Sequence, residues 1–203
     1  MNSLSKSVNL SSSPTRLTGD PLDLTQYKVC VVIPAYNEAR FIGSVVLSLK
    51  RRPLEILVVD DGSQDDTAEI ARAAGADVLQ LEANQGKGAA LNAGLVHVRP
   101  SSPDAIVIID ADGQHLPDEL ERVVRPILEG QADIVIGSRY LEATSNTPAH
   151  RKFGHKVMNF FTGAFSGVKA SDSQSGYRAF SPKAYRLLTF TSNDFSVESE
   201  MQF

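Results

Sequence analysis

Asp104-Ala105-Ile106-Val107-Ile108-Ile109-Asp110-Ala111-Asp112-Gly113-Gln114-His115 is an apolar, β-branched run that stops at two carboxylates spaced two residues apart. Such a run reads as a buried strand. Residues two apart in a strand project to one face, so Asp110 and Asp112 are expected to point together beyond its carboxyl end. At about 5 Å and an effective dielectric of about 20, two carboxylates repel by roughly 3 kcal/mol. A divalent cation is the simplest offset. Oxygen-only ligands with open positions suit Mg²⁺ or Mn²⁺ bridging to a diphosphate, and the Gln114 carbonyl can complete the protein's share. An acidic turn after a core strand, with no metal, is the competing reading.

Outward from this stretch, strand and helix patterns alternate. Lys28–Ile33 reads as a strand closed by Pro34, and 38–50 as a helix. Residues 54–59 form a second strand ending at Asp60 and Asp61. Asp65 or Asp66 can cap a helix running to about Ala74 and ended by Gly75. A weaker strand over 76–81 precedes a helix over 88–97. Pro117 opens a helix that Gly130 stops, and 133–136 is a fifth short strand. The alternation predicts a three-layer α/β/α domain with a mostly parallel central sheet. Its ligands should bind beyond the carboxyl ends of the strands.

The chain has 203 residues, a length that suits one domain, here 27–203, behind a Ser-rich tail over 1–26 expected to be disordered. Net charge is −4, which argues against wholesale nucleic-acid binding. The single cysteine, Cys30, lies in an apolar strand pattern and cannot form an internal disulfide. That fits a reducing, cytoplasmic setting. No apolar stretch approaches the roughly eighteen residues of a membrane span.

Four polar motifs fall at strand ends. Pro34-Ala35-Tyr36-Asn37-Glu38 is either a turn capped by Asn37 or a holder of a base and ribose through Tyr36 and Glu38. In Asp60–Thr67, Asp65 and Asp66 are explained by turn and cap chemistry. Asp61, at a strand end, can accept hydrogen bonds from a base or ribose. Asn84–Ala90 lacks the Walker A spacing, yet Gly86 and Gly88 let Lys87 and backbone amides approach an anion or a base at a helix start. A plain helix-entry turn fits as well. Arg139, after the fifth strand, is either a phosphate partner or a surface arginine.

Farther along, Phe153, Val157, Phe160, Phe161, Ala164, Phe165 and Val168 share a stripe within a helical pattern over 150–169. A core-facing helix shows this stripe; so does a basic amphipathic helix lying in a membrane interface. In Asp172–Arg178, Asp172 can position an acceptor, and Ser175 with Arg178 can bind phosphate. The competing reading is a capped turn around Gly176.

In order, the strings VVIPAYNEA, VVDDGSQDDT, NQGKGAALNAG, IIDADGQHLPDEL, IVIGSRY, DSQSGYRAF and VESEM resemble the family 2 glycosyltransferases of GT-A fold. Within that family the chain most resembles dolichyl- or polyprenyl-phosphate sugar synthases, over about Val29 to Met201. The resemblance implies a nucleotide-sugar donor held by Pro34, Tyr36, Glu38 and Asp61, with Lys87 near the base. It places Asp110 and the backbone near Ala111 against the nucleoside, and gives metal and diphosphate to Asp110, Asp112 and Gln114. Arg139 serves phosphate charge and Arg151 the acceptor phosphate. His155 stands where several relatives carry a small hydroxyl residue. Many relatives also continue beyond the position of Phe203, so a C-terminal continuation is expected.

The implied reaction is inverting displacement at an anomeric carbon, moving a hexose from a UDP- or GDP-sugar to a lipid phosphate. Asp112, Asp172 and Arg139 are the catalytic candidates. A phosphate acceptor arrives ionised and needs no strong base, whereas a hydroxyl acceptor does, and Asp172 leads for that task. The alternatives are a soluble transferase acting on a saccharide or protein hydroxyl, and a nucleotide-sugar-binding module without turnover. Peripheral membrane contact is expected through 150–169.

Overall fold

The computed structural model describes residues 22–113, 119–137 and 177–190. Among them are six strands: β1 (Val29–Ala35), β2 (Glu55–Asp60), β3 (Asp77–Gln80), β4 (Ala105–Ile108), β5 (Ile134–Ile136) and β6 (Arg178–Phe180). They form one sheet in the order β3-β2-β1-β4-β6-β5. β1, β2, β3 and β4 run parallel, and β6 lies antiparallel between β4 and β5. The described helices are α1 (Ile42–Leu49), α2 (Thr67–Ala73), α3 (Lys87–Val98), α4 (Leu120–Leu128) and α5 (Pro182–Leu187).

Strand periodicity sorts the core into two layers. Val29, Val31, Ile33 and Ala35 of β1 join Ile56, Val58 and Val107 on the face that α1, α2 and α4 cover. Cys30 and Val32 join Leu57, Val59, Ile106, Ile108 and Phe180 on the face under α3 and α5. All seven β1 residues are buried, as a central strand covered on both sides must be. α3 lies tight on the sheet at Gly94, where an added Cβ would sit 2.7 Å from Val32 Cγ1 and 2.9 Å from Val59 Cγ2.

Several boundaries differ from expectation, each for a local reason. β1 continues through Pro34 to Ala35. Its pairing with β4 ends at Val32↔Ile108, while its pairing with β2 runs on to Ala35↔Asp60. Val32 O accepts from Ile109 N and Ala35 O from Asp61 N. The alternation turns Pro34 toward the side where the β4 ladder has stopped, so its missing N–H costs no bond.

α1 starts at Ile42 rather than Glu38. The amides of Glu38 and Ala39 are taken by Thr67 Oγ1 (2.8 Å) and Asp65 Oδ2 (3.1 Å), and Asn37 holds φ 54°. The chain therefore crosses to the α2 entrance before it coils. At that entrance Asp66 is the boundary residue, but Asp65 supplies the carboxylate that receives Thr67 N at 3.1 Å and the Thr67 hydroxyl.

The tail read over 1–26 ends too late. A 3-10 turn at Leu24–Gln26, capped by Asp23, inserts Leu24 into the core; residues 1–21 lie outside the described set. β6 is not among the expected strands, since Asp172–Arg178 reads as a polar cluster or a capped turn around Gly176. Its central Ala179 pairs with Val107 on one side and Val135 on the other.

Candidate functional site

The order β3-β2-β1-β4 changes direction at β1, and the carboxyl ends of β2, β1 and β4 meet there. A crevice beyond such a switch point is where open α/β sheets bind ligands. Three loops build it. The first, after β1, carries exposed Tyr36, Asn37 and half-buried Glu38. Asn37 N donates to Ser63 Oγ at 2.9 Å, and Asn37 Oδ1 accepts from Gln64 N at 2.8 Å. These bonds bind the first loop to the second.

The second loop follows β2. Asp60 is fully buried; its Oδ1 accepts from Ser63 N at 3.1 Å, and among the described residues its Oδ2 has no hydrogen-bond partner. Asp61 is buried too. Its Oδ1 accepts from Gln85 N at 2.9 Å and its Oδ2 from Gly86 N at 2.8 Å. This bidentate grip on the entrance to α3 was not foreseen. The only sequence signal for it was Gly86, which at φ 93° has no side chain with which to cap its own helix.

The third loop follows β4. Strand geometry does not reach the paired acids, since β4 ends at Ile108 and a turn with Gly113 at φ 70° follows. Their alternation survives regardless: Ile109 and Ala111 sit in the core, while Asp110 and Asp112 are partly exposed. Lys87 Nζ, from the first turn of α3, lies 2.8 Å from Asp110 Oδ1. A Cβ on Gly113 would meet the Phe41 ring carbon Cδ1 at 3.6 Å, so the first and third loops touch.

The electrostatics follow from this convergence. Burial pushes the Glu38 carboxyl above its ordinary range, and the nearby carboxylates of Asp112, Asp65 and Asp110 push the same way. Acids gathered this closely favour a bound cation. No group of three or more His, Cys, Asp or Glu side chains is arranged as a metal cage among the described residues. Two carboxylates with open positions nonetheless fit a hard divalent ion that shares its shell with substrate phosphates. The Lys87 ammonium beside Asp110 marks where positive charge is accommodated.

The sheet thus brings Pro34, Tyr36, Glu38, Asp61, Lys87, Asp110, Ala111 and Asp112 to one end. Gln114, Arg139, Arg151, Asp172 and Ser175 lie outside the described residues, as does the helical pattern over 150–169. Arg178 is described: it opens β6 opposite Ile108 and Ile136, with its side chain fully buried. A separate open hollow of about 590 Å³ lies at the opposite end of the strands, lined by Tyr27, Lys28, Arg52, Glu55 and Asp104 among others, and shares none of these residues. None of the described helices is long and apolar enough to cross a membrane.

Residues 30–188 match the model of Glycosyl transferase family 2. The UDP-N-acetylglucosamine–dolichyl-phosphate N-acetylglucosaminyltransferase of Methanococcus voltae is 34% identical, over 79% of this chain and 72% of its own length. The polyprenol monophosphomannose synthase of Mycolicibacterium smegmatis is 36% identical, over 75% of this chain and 61% of its own. A solved structure of glucosyl-3-phosphoglycerate synthase from Mycobacterium tuberculosis, in complex with Mn²⁺, UDP and glucosyl-3-phosphoglycerate, superposes with a TM-score of 0.69. It is 27% identical, and the match covers 87% of this chain and 64% of that one.

Proposed function

The chain belongs to glycosyl transferase family 2, and on that premise we propose that it moves a hexose from a UDP- or GDP-sugar to a polyprenyl or dolichyl phosphate, with inversion and dependence on Mg²⁺ or Mn²⁺. The observation that carries the reading is the gathering of Tyr36, Glu38, Asp61, Lys87, Asp110 and Asp112 at the carboxyl ends of three adjacent parallel strands. The lipid-phosphate acceptors named for the Methanococcus and Mycolicibacterium relatives support the acceptor class.

In this reading Pro34, Tyr36, Glu38 and Asp61 hold the nucleoside, with Ala111 contributing backbone. Lys87, near the base by the family resemblance, stands 2.8 Å from Asp110 here, and on that contact its charge is assigned to the diphosphate rather than the base. A divalent ion held by Asp110, Asp112 and Gln114 would supply the charge that stabilises the departing nucleoside diphosphate. Arg139, Arg151, Ser175 and Arg178 serve the acceptor phosphate, whose ionised oxygen attacks without a strong base. The segment 150–169 provides peripheral contact with a membrane at its cytoplasmic face.

A second reading has its own support. The solved relative that superposes on this chain is named for a small phosphorylated product, glucosyl-3-phosphoglycerate. A soluble acceptor hydroxyl is then the target, and Asp172 serves as its base. Incubation with labelled UDP- and GDP-hexoses, Mn²⁺ and polyprenyl phosphate separates the two. Label entering the organic phase is expected; label confined to a water-soluble product overturns the lipid acceptor, and nucleotide binding without turnover overturns the enzyme.

A further inference from the structure

Asp61 is deployed for more than contact with a nucleoside. Both of its oxygens receive backbone amides from another loop, Gln85 N at 2.9 Å and Gly86 N at 2.8 Å. Its own amide is anchored on Ala35 O at 2.9 Å, in the central strand. The flanking residues tighten the same junction. Asp60 O accepts from Leu81 N at 2.9 Å. Gly62, at φ 70°, lies so close to the facing backbone that an added Cβ would stand 2.6 Å from the Ala83 carbonyl carbon and 2.8 Å from Asn84 N. Residues 60–62 thus grip 81–86 at three successive points. The next residue in the chain is Lys87, whose Nζ reaches Asp110 Oδ1 at 2.8 Å.

We infer that Asp61 is a positioning residue: through the amides of Gln85 and Gly86 it sets where α3 begins, and so places the Lys87 ammonium at the diphosphate end of the site, beside Asp110. Lysine carries its charge on a flexible four-carbon stem, so the location of its backbone decides what the ammonium can reach. Gly86 has no side chain to fix that location, and its φ of 93° makes the segment conformationally permissive. The carboxylate supplies what Gly86 lacks. A negative charge at a helix entrance is also favoured by the helix dipole. A carboxylate offers about four lone-pair sites, so this task is compatible with a nucleoside contact. Beyond any loss at the nucleoside, removal of Asp61 also acts at a distance, on phosphate binding.

The consequence for the ligand rests on the transferase reading, whereas the grip itself does not, and the test keeps them apart. Asp61→Asn preserves size and one acceptor oxygen but turns the other position into a donor facing an N–H. In the nucleotide-free protein, amide exchange at Gln85 and Gly86 is expected to speed up at least tenfold while β1 and β2 amides keep their protection. By calorimetry with Mn²⁺, Asp61→Asn and Lys87→Met are each expected to weaken UDP or GDP binding about tenfold or more. The double variant should be little weaker than the worse single, and in Lys87→Met uridine or guanosine affinity should fall much less than that of the diphosphate. Losses that multiply, or a nucleoside loss in Lys87→Met equal to its diphosphate loss, would overturn the inference. Unchanged exchange at Gln85 and Gly86 would overturn it whatever binds. A wild-type protein that binds no nucleotide would sink the transferase reading and leave exchange to judge the grip. If Asp61→Asn does not fold, Asp61→Ser, which keeps a hydroxyl acceptor, is carried through the same measurements.

Discussion

The side chain of Asn92 satisfies both backbone groups of Phe190: its Oδ1 accepts from Phe190 N at 2.9 Å, and its Nδ2 donates to Phe190 O at 2.8 Å. With Arg99, which donates to the carbonyls of Tyr185 and Leu188, it ties the chain that follows α5 onto α3.

Asn92→Ala leaves both backbone groups of Phe190 without these partners. At about 1 kcal/mol for each bond, a stability loss of about 2 kcal/mol is expected in urea unfolding. Asn92→Asp keeps the acceptor but sets a carboxylate oxygen against Phe190 O, and should lose at least as much. Equal midpoints for wild type and Asn92→Ala would show that the tie contributes nothing.

Gly94→Ala introduces a methyl group 2.7 Å from Val32 Cγ1 and 2.9 Å from Val59 Cγ2. Overpacking of this kind costs about 1–3 kcal/mol. Because α3 also carries Lys87, nucleotide affinity should fall together with the melting temperature. A variant that melts as wild type would mean the sheet yields at no cost.

Asp112→Ala removes one of the two acids assigned to the metal. A loss of several kcal/mol of charge stabilisation corresponds to a turnover decrease of about a hundredfold or more. The Mn²⁺ concentration giving half-maximal rate should rise as well. Full activity in the variant, or in the wild type after chelation with EDTA, counts against metal dependence.

Glu38 gives a pH signature. Its carboxyl is raised by burial and by Asp112, Asp65 and Asp110, so its folded pKa lies above the unfolded value. Stability from its neutral form is complete below the ordinary glutamate pKa of about 4.5 and is lost as pH rises through the folded value. Glu38→Gln should therefore melt higher than wild type at pH 7, with the gap closing toward pH 4. A gap that is constant with pH would place the effect elsewhere.

Burial pushes the Cys30 thiol from 9.0 to about 12, with Glu55 adding to the rise. Between those values the unfolded thiol ionises while the folded one does not, so stability is lost as pH climbs above about 9. The native protein should resist a thiol reagent such as DTNB at pH 8 and react fully in denaturant. Rapid native labelling would contradict the burial of β1.

What could be read in the sequence follows from how locally each feature is encoded. β1, β2 and β4 were legible because a strand buried on both faces is a continuous apolar run, as in Val29–Ala35 and Ala105–Ile108. The position of the crevice followed from topology alone. Long-range hydrogen bonding was not legible. Nothing near Glu38 announces that Thr67 and Asp65 will take the amides of its first turn. Nothing near Asp61 announces that its carboxylate will be filled by Gln85 and Gly86. β6 escaped for a related reason: three residues carry too little periodicity to declare a strand, and both its partners are distant in sequence.

The antiparallel strand that separates β4 from β5 sets a schedule for synthesis. On the ribosome, residues 29–108 can assemble β1, β2, β3 and β4 in the order they emerge. β5 cannot join them then, because its ladder partner is β6, some forty residues downstream. Until Arg178–Phe180 have left the exit tunnel, the outer edge of β4 stays open to a foreign strand. During that interval the nascent protein carries an unpaired edge beside its central strand, the kind of edge through which chains associate.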